Sequence, residues 1–275
     1  MMAFSEYRNT PDNIRGLDAH QYTLFPKDKK ELKQMIKEEI RKHGNEAGLN
    51  HIDVSGITDF SKLFKGSEFN GDISKWDVSN AEDMSRMFNN SRFCGDISGW
   101  NVSKVTDMSL MFDMCTEFNQ DISGWDVSNV KDMSWMFNGC DSFNQDLSGW
   151  DVSNVTDMSG MFCWASSFNG DVSTWDIRNV KDMSCMFDGS AFDGNLKRWN
   201  TKNVENMSCM FKNCDFNQDI SRWDVSSVIN MADMFNGCKK FNQDISRWNV
   251  SNVKAHYDMF NDCPCPEEHQ PKFSK

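Results

Sequence analysis

The sequence predicts an α/β repeat solenoid, with short parallel strands on a concave side, short helices on a convex side and a capping helix at the N-terminus. Tryptophans recur every 24 or 25 residues, at positions 76, 100, 125, 150, 175, 199, 223 and 248. The Phe of a Met-Phe pair follows each of these Trp by 12 residues, and another Phe precedes each by seven. Self-similarity at a fixed period of this length is typical of repeat architectures.

The N-terminal segment, residues 1–48, contains the predicted capping helix. Leu32, Met35, Ile36 and Ile40 have helical spacing within residues 28–43, among many Lys and Glu. An amphipathic helix of this kind suits the end of a stack, because it covers the first coil with its apolar face.

Within each repeat, the segment around Trp predicts a strand and the segment after it predicts a helix. In DISGWDVS, residues 121–128, Trp125 and Val127 alternate with polar neighbours, as in a half-buried strand. Val130, Met133 and Phe137 then share one face at helical spacing, which predicts a short helix. Because one repeat cannot bury enough apolar surface to fold alone, the repeats must stack.

The repeats predict a single unit of about nine coils at residues 49–263, followed by a mobile tail at residues 264–275. The first coil, LNHIDVSGITDFSKLF, is a degraded copy with Ile52 in place of Trp. The tail has no apolar pattern.

The composition limits the partners. A formal net charge of -12 and a pI near 4.8 disfavour nucleic acid and anionic membranes as partners. No apolar run approaches the roughly 18 residues that span a bilayer, and the N-terminus lacks a secretion signal, so a cytoplasmic location is expected from the sequence. No acid/base or nucleophile arrangement recurs, so no enzyme is predicted, and the repeated Met are explained as core, without a cofactor.

The repeated pattern FNxDISxWDVSNVxDMSxMF resembles the BspA-like, mycoplasma-lipoprotein type of leucine-rich repeat. The resemblance covers about residues 49–263 and implies a leucine-rich-repeat-like solenoid. It also implies a bacterial cell-surface or exported protein that binds other proteins or host material, an adhesive role among them.

Two surfaces are candidate partner-binding sites. Strand alternation places the residues beside each Trp on the concave face, where an acidic centre meets a basic stripe: Asp126, Asp151, Arg198, Arg222 and Arg247. Helical spacing places Leu110 and Trp135 on the convex side, and the loops after the Met-Phe pairs are expected to extend them into an apolar patch with Met114 and Trp164. A solvated surface without a ligand, or a loop Trp that closes a gap, remains the alternative.

The Asp and Cys residues that recur at fixed positions of the repeats are interpreted as structural before any ligand is considered. Repeated Asp side chains are expected to accept backbone N–H groups at turns and helix starts, with calcium between coils as an alternative. Cys115, Cys140, Cys214, Cys238 and Cys263 stand three after the Met-Phe Phe. They are expected to be reduced thiols in a small buried position, although neighbouring coils are close enough for disulfides.

The sequence therefore predicts a non-catalytic repeat protein that binds a macromolecule, most simply another protein. A structural or adhesive assembly module and a cation-dependent glycan binder are the alternatives. The oligomeric state and the identity of the partner stay open.

Overall fold

A computed structural model describes residues 22–273 of the chain. Residues 1–21, part of the predicted N-terminal unit, and residues 274–275 lie outside the described residues. The regular elements are one α-helix, α1 (Lys29–His43), and a 3-10 helix (Glu267–His269). Residues 22–273 contain no continuous β-strand; their backbone pairing consists of isolated parallel bridges.

Helix α1 coincides with the predicted capping helix. The Asp28 carboxylate accepts the N–H of Glu31 at 2.9 Å and caps the N-terminus, and Gly44 ends the helix at a φ of 85°. Leu32 and Ile36 are buried on the side that joins the core of the repeats. Within the described residues α1 is the only α-helix, and it is too short and too charged to cross a membrane.

The prediction of an α/β solenoid with leucine-rich-repeat-like strands and helices is wrong. Residues 49–263 form a stack of coils built from turns, and parallel bridges join equivalent positions of neighbouring coils, such as Asp132 and Asp157. Because the predicted strands and helices are absent from these coils, the predicted concave strand side and convex helix side are wrong as well. Each coil is named below by the Phe of its Met-Phe pair, or by Phe64 in the first coil.

The segment predicted to be a helix is a run of overlapping turns. In the Phe137 coil, the N–H of Met136 bonds the carbonyl of Met133 at 3.2 Å, and Asn138 bonds Trp135 at 3.3 Å. The N–H of Trp135, by contrast, leaves its own coil and bonds Ser159 of the next coil at 2.7 Å. An α-helix would direct every N–H four residues back along its own chain, so this alternation excludes one.

The segment predicted to be a strand also consists of turns. Trp125 bonds Ile122 at 3.1 Å and Val130 bonds Val127 at 2.9 Å, each closing a turn of four residues. The link to the preceding coil is made by a side chain, because the indole Nε1 of Trp125 donates to the carbonyl of Ile97 at 3.2 Å. All eight repeated Trp make the equivalent bond.

The predicted burial of the repeated aromatic residues is confirmed. The eight repeated Trp are at most 5% exposed. Rings at equivalent positions stack from coil to coil: the centroids of Trp150 and Trp175 are 6.4 Å apart, and those of Phe137 and Phe162 are 5.7 Å apart. Apolar burial between coils at roughly 25 cal/mol per Å² is thus the main stabilising contribution.

Both ends of the stack are covered. Lys29 of α1 bonds the Asp59 carboxylate of the first coil at 2.7 Å. Residues 264–273, which the sequence predicted to be mobile, contact the last coil: Ile245 donates its N–H to the carbonyl of His269 at 2.9 Å. The ring of Phe273 stacks on His256 with centroids 4.0 Å apart.

Candidate functional site

The turns after each Trp create two columns of left-handed backbone, one residue per coil in each column. Every residue in them has a positive φ, and the non-glycine ones lie between 52° and 59°. The first column stands two residues before the coil's Phe and contains Lys62, Arg86, Leu110, Trp135, Gly160, Cys185, Cys209, Asp233 and Asp258. The second stands two residues after it and contains Gly66, Asn90, Met114, Gly139, Trp164, Gly189, Asn213, Gly237 and Asp262.

These columns form one exposed surface, which we call the turn face. Each left-handed residue is the third of its turn, the position at which a type II turn requires a positive φ. All residues of the two columns are at least partly exposed except Gly139 and Gly160, which Met114 and Trp135 cover. Glycine, Asn and Asp adopt this backbone most easily, whereas other residues cost about 1–2 kcal/mol there.

All four residues of the predicted apolar patch lie on the turn face. Leu110 and Trp135 belong to the first column and are half-buried. Met114 and Trp164 belong to the second, and 48% and 57% of their surfaces remain exposed. The structure therefore brings together, on three adjacent coils, the two residues predicted from helical spacing and the two predicted from their loop positions, although these coils contain no helix.

The large side chains are seated on glycines of the next coil. Met114 lies over Gly139, where an added β-carbon would stand 2.6 Å from its Sδ, and the ring of Trp135 covers Gly160 in the same way. Trp164 covers the following glycine of its own column. The sequence analysis missed these glycines, although a glycine at the equivalent position of the next coil was a visible signal.

A polar column separates the two left-handed columns, one residue after each Phe. Asp113 is buried there and accepts bonds from the amides of Asn138, at 2.7 Å, and Asn89. Burial raises the pKa of Asp113. Burial also raises the pKa of Asp188, in the same column, to about 6.

The turn face changes charge along its length. Lys62 and Arg86 stand in the first two coils, and Asp233 and Asp258 occupy the same column in the last two. The apolar residues lie between these ends. Lys212 of the polar column contacts Asp233 at 3.3 Å.

Two cysteines continue the first column after Gly160. Their mutual interaction raises the pKa of Cys185 and lowers that of Cys209. All ten cysteines are free thiols in the structure. The predicted small buried column is present at its centre, where Cys140 is fully buried and its thiol contacts the carbonyl of Phe112 at 2.9 Å.

The residues predicted for the concave face lie beside the buried Trp, apart from the turn face. The Asp126 carboxylate accepts the N–H and hydroxyl of Ser128, at 3.1 and 2.6 Å. Asp151 accepts the N–H of Ser153 at 3.0 Å. The exposed basic side chains of the stripe form no ion pair within residues 22–273: Arg198, Arg222 and Arg247.

The remaining Asp columns follow the same capping pattern. In Asp-x-Ser sequences the carboxylate accepts the N–H two residues later, as Asp132 does from Ser134 at 2.8 Å. This is the turn-capping role that the sequence predicted. In the described part of the chain, no three His, Cys, Asp or Glu side chains converge as metal ligands.

The fold and the turn face define a repeat protein of stacked coils of about 25 residues that displays apolar side chains on a left-handed turn surface. The chain belongs to the family described as Mycoplasma protein of unknown function, DUF285, whose model matches residues 30–133, 90–193, 120–215 and 189–269. Comparison with curated proteins found no match. Comparison with solved structures found none either.

Proposed function

We propose that this chain is a non-catalytic protein-binding module and that its binding surface is the turn face around Leu110, Met114, Trp135 and Trp164. One observation carries the proposal: bulky apolar side chains occupy left-handed positions on adjacent coils, although the second column elsewhere holds only Gly, Asn or Asp and the first holds Gly160 directly after Trp135. The resemblance of the repeats to BspA-like surface proteins supports the same class of function.

The backbone cost makes these residues informative. A Trp or Met with positive φ costs about 1–2 kcal/mol relative to glycine. Strained backbone of this kind concentrates at functional sites. Gly139 and Gly160 serve the same backbone role in the neighbouring coils without that cost. Stability alone therefore favours glycine at positions 135 and 164.

Exposure points the same way. Trp164 and Met114 leave about half of their surface in water, and buried Trp side chains are prominent among the residues that contribute most to protein interfaces. Their neighbours are small, since glycines lie beneath them and Cys185 follows in the same column. The result is a row of separate apolar projections on a smooth surface.

Binding is tested by affinity capture from cell extract with the wild-type chain, Trp164→Asn and Arg222→Ala. Asn already occupies the second column at positions 90 and 213, so Trp164→Asn preserves the backbone. We expect a set of proteins that the wild type and Arg222→Ala retain and Trp164→Asn loses at least about tenfold, as for an interface hot spot. Identical capture by all three chains contradicts the proposal.

A further inference from the structure

We infer that the turn face binds a second copy of this chain, in an antiparallel face-to-face dimer whose two-fold axis crosses the face at the Phe162 coil. This inference rests on the proposed function and names its partner. It follows from the order of side chains along the face, which is self-complementary about its central coil.

The Phe162 coil is the fifth of the nine coils that contribute to the left-handed columns. A two-fold axis lying in the face at right angles to the columns reverses the order of coils and keeps each column opposite itself. An isologous interface requires this kind of self-match, in which residue i meets j and j meets i.

The charges match under this operation. Lys62 of the first coil meets Asp258 of the last, and Arg86 of the second meets Asp233 of the eighth. Each pair occurs twice in the dimer, once on each side of the axis. Complementary charges of this kind fix the orientation of partners.

A parallel two-fold dimer lacks these pairs. Its axis would run along the stack and place the first column opposite the second, so that Arg86 would meet Asn90 and Asp233 would meet Gly237. The charge order therefore favours the antiparallel dimer.

Three of the four apolar patch residues match as well, whereas the fourth, Met114, meets Asn213. Trp135 meets Cys185 and Leu110 meets Cys209, which pairs a large side chain with a small one. At the axis Trp164 faces Trp164, beside Gly160, which the Trp135 ring of its own chain covers. The most exposed aromatic residues of the turn face are therefore covered at the centre of the interface, where binding energy concentrates.

The extent of the face is sufficient. Nine coils at about 4.8 Å spacing give a length of about 40 Å, and a turn segment of about nine residues gives a width of up to about 25 Å. Such a face reaches the ~800 Å² per partner that a stable interface buries. End-to-end stacking is blocked, because α1 and residues 264–273 cover the two ends.

Sedimentation equilibrium tests the pairing of Arg86 with Asp233 across the dimer. The samples are Arg86→Asp, Asp233→Arg and their equimolar mixture, each measured from about 1 to 100 μM protein, a range that brackets the Kd of an interface of moderate affinity. The column already holds Arg and Asp at these two positions, so the backbone tolerates both. Each variant alone places two like-charged pairs in its dimer and should raise Kd roughly tenfold or more. The mixture restores both pairs and should return Kd to the wild-type value.

Lys62→Asp and Asp258→Lys form a second, exposed pair with the same expected pattern, in case either first variant fails to fold. A wild-type chain that stays monomeric overturns the inference, as does a dimer that Arg86→Asp leaves unchanged or a mixture that does not recover. Capture that depends on Trp164 in a monomeric chain would leave the proposed function standing with another protein as partner. A monomeric chain whose protein capture does not depend on Trp164 would overturn both the dimer and the proposed function.

Discussion

The indole of Trp164 lies over the α-carbon of Gly189, so closely that a β-carbon built on Gly189 would stand 2.8 Å from the ring atom Cε3. Gly189 has a φ of +67° and occupies the position of Trp164 in the next coil. Because Gly189 has no side chain, the Trp164 ring can lie directly over its backbone. The exposed aromatic residues of the turn face depend on this alternation of large side chain and glycine.

Gly189→Ala should destabilise the protein by about 1–2 kcal/mol, because alanine is strained at a positive φ and its methyl group displaces the Trp164 ring. Urea unfolding measures the change. Gly99→Ala is the matched control, since its β-carbon meets nothing within 4 Å, and it should stay within about 0.5 kcal/mol of wild type. Equal stability of the two variants would contradict the packing described here.

Trp150→Phe should cost about 1 kcal/mol or more, because it removes the 3.1 Å hydrogen bond from the indole to the carbonyl of Ile122. That carbonyl then keeps only the N–H of Trp125 as a donor, and the smaller ring leaves part of a buried site unfilled. The same substitution at the exposed Trp164 should change the free energy of unfolding by less than about 0.5 kcal/mol. Chemical unfolding of both variants makes the comparison. Similar losses at the two positions would show that the side-chain links between coils contribute little.

Asp188→Asn should flatten the pH dependence of stability. Burial raises the pKa of this carboxyl from 3.8 to about 6 in the folded chain. The folded state therefore holds the proton more tightly, and stability falls as the pH rises from about 4 through 6. Above pH 7 the substitution should stabilise by about 1 kcal/mol, a value reduced for solvent screening of a half-buried group.

Asp121→Asn is the control of opposite sign. Hydrogen bonds from Ser123 lower the pKa of Asp121 below 3.8, so its contribution is present above that value and is lost as the pH falls through the lowered pKa. This variant should lose stability at neutral pH. Thermal melts between about pH 2 and 8 cover both titrations, and parallel curves for wild type and Asp188→Asn would refute the assignment.

Cys209 should be alkylated well before Cys214 in the folded protein. Interaction with the Cys185 thiol lowers the pKa of Cys209, whereas burial raises the pKa of Cys214 to about 12, and the thiolate is the reactive form. Iodoacetamide at pH 8, followed by peptide mass spectrometry over time, gives the order. In urea the two rates should converge; a difference that persists there would point to local sequence as its cause.

The candidate site was partly predictable. Leu110, Met114, Trp135 and Trp164 stand out from their columns by residue type alone, and the structure places them on one face. The left-handed backbone beneath them was missed. Its signal was present in the second column, where seven of nine residues are Gly, Asn or Asp, the residues that accept a positive φ most easily.

The sequence by itself determined the period of the coils and the side chains that avoid water, because both follow from the spacing of Trp, Met and Phe. The backbone was decided by the tertiary structure. A helix and a run of turns can both direct the same side chains inward, here those of Met133, Met136, Phe137 and Cys140. A helix of only one or two turns is marginally stable by itself. Spacing identifies the buried side chains but not the acceptor of each N–H. In the stack, the next coil offers carbonyls such as that of Ser159 to Trp135, and these intercoil bonds replace the helix.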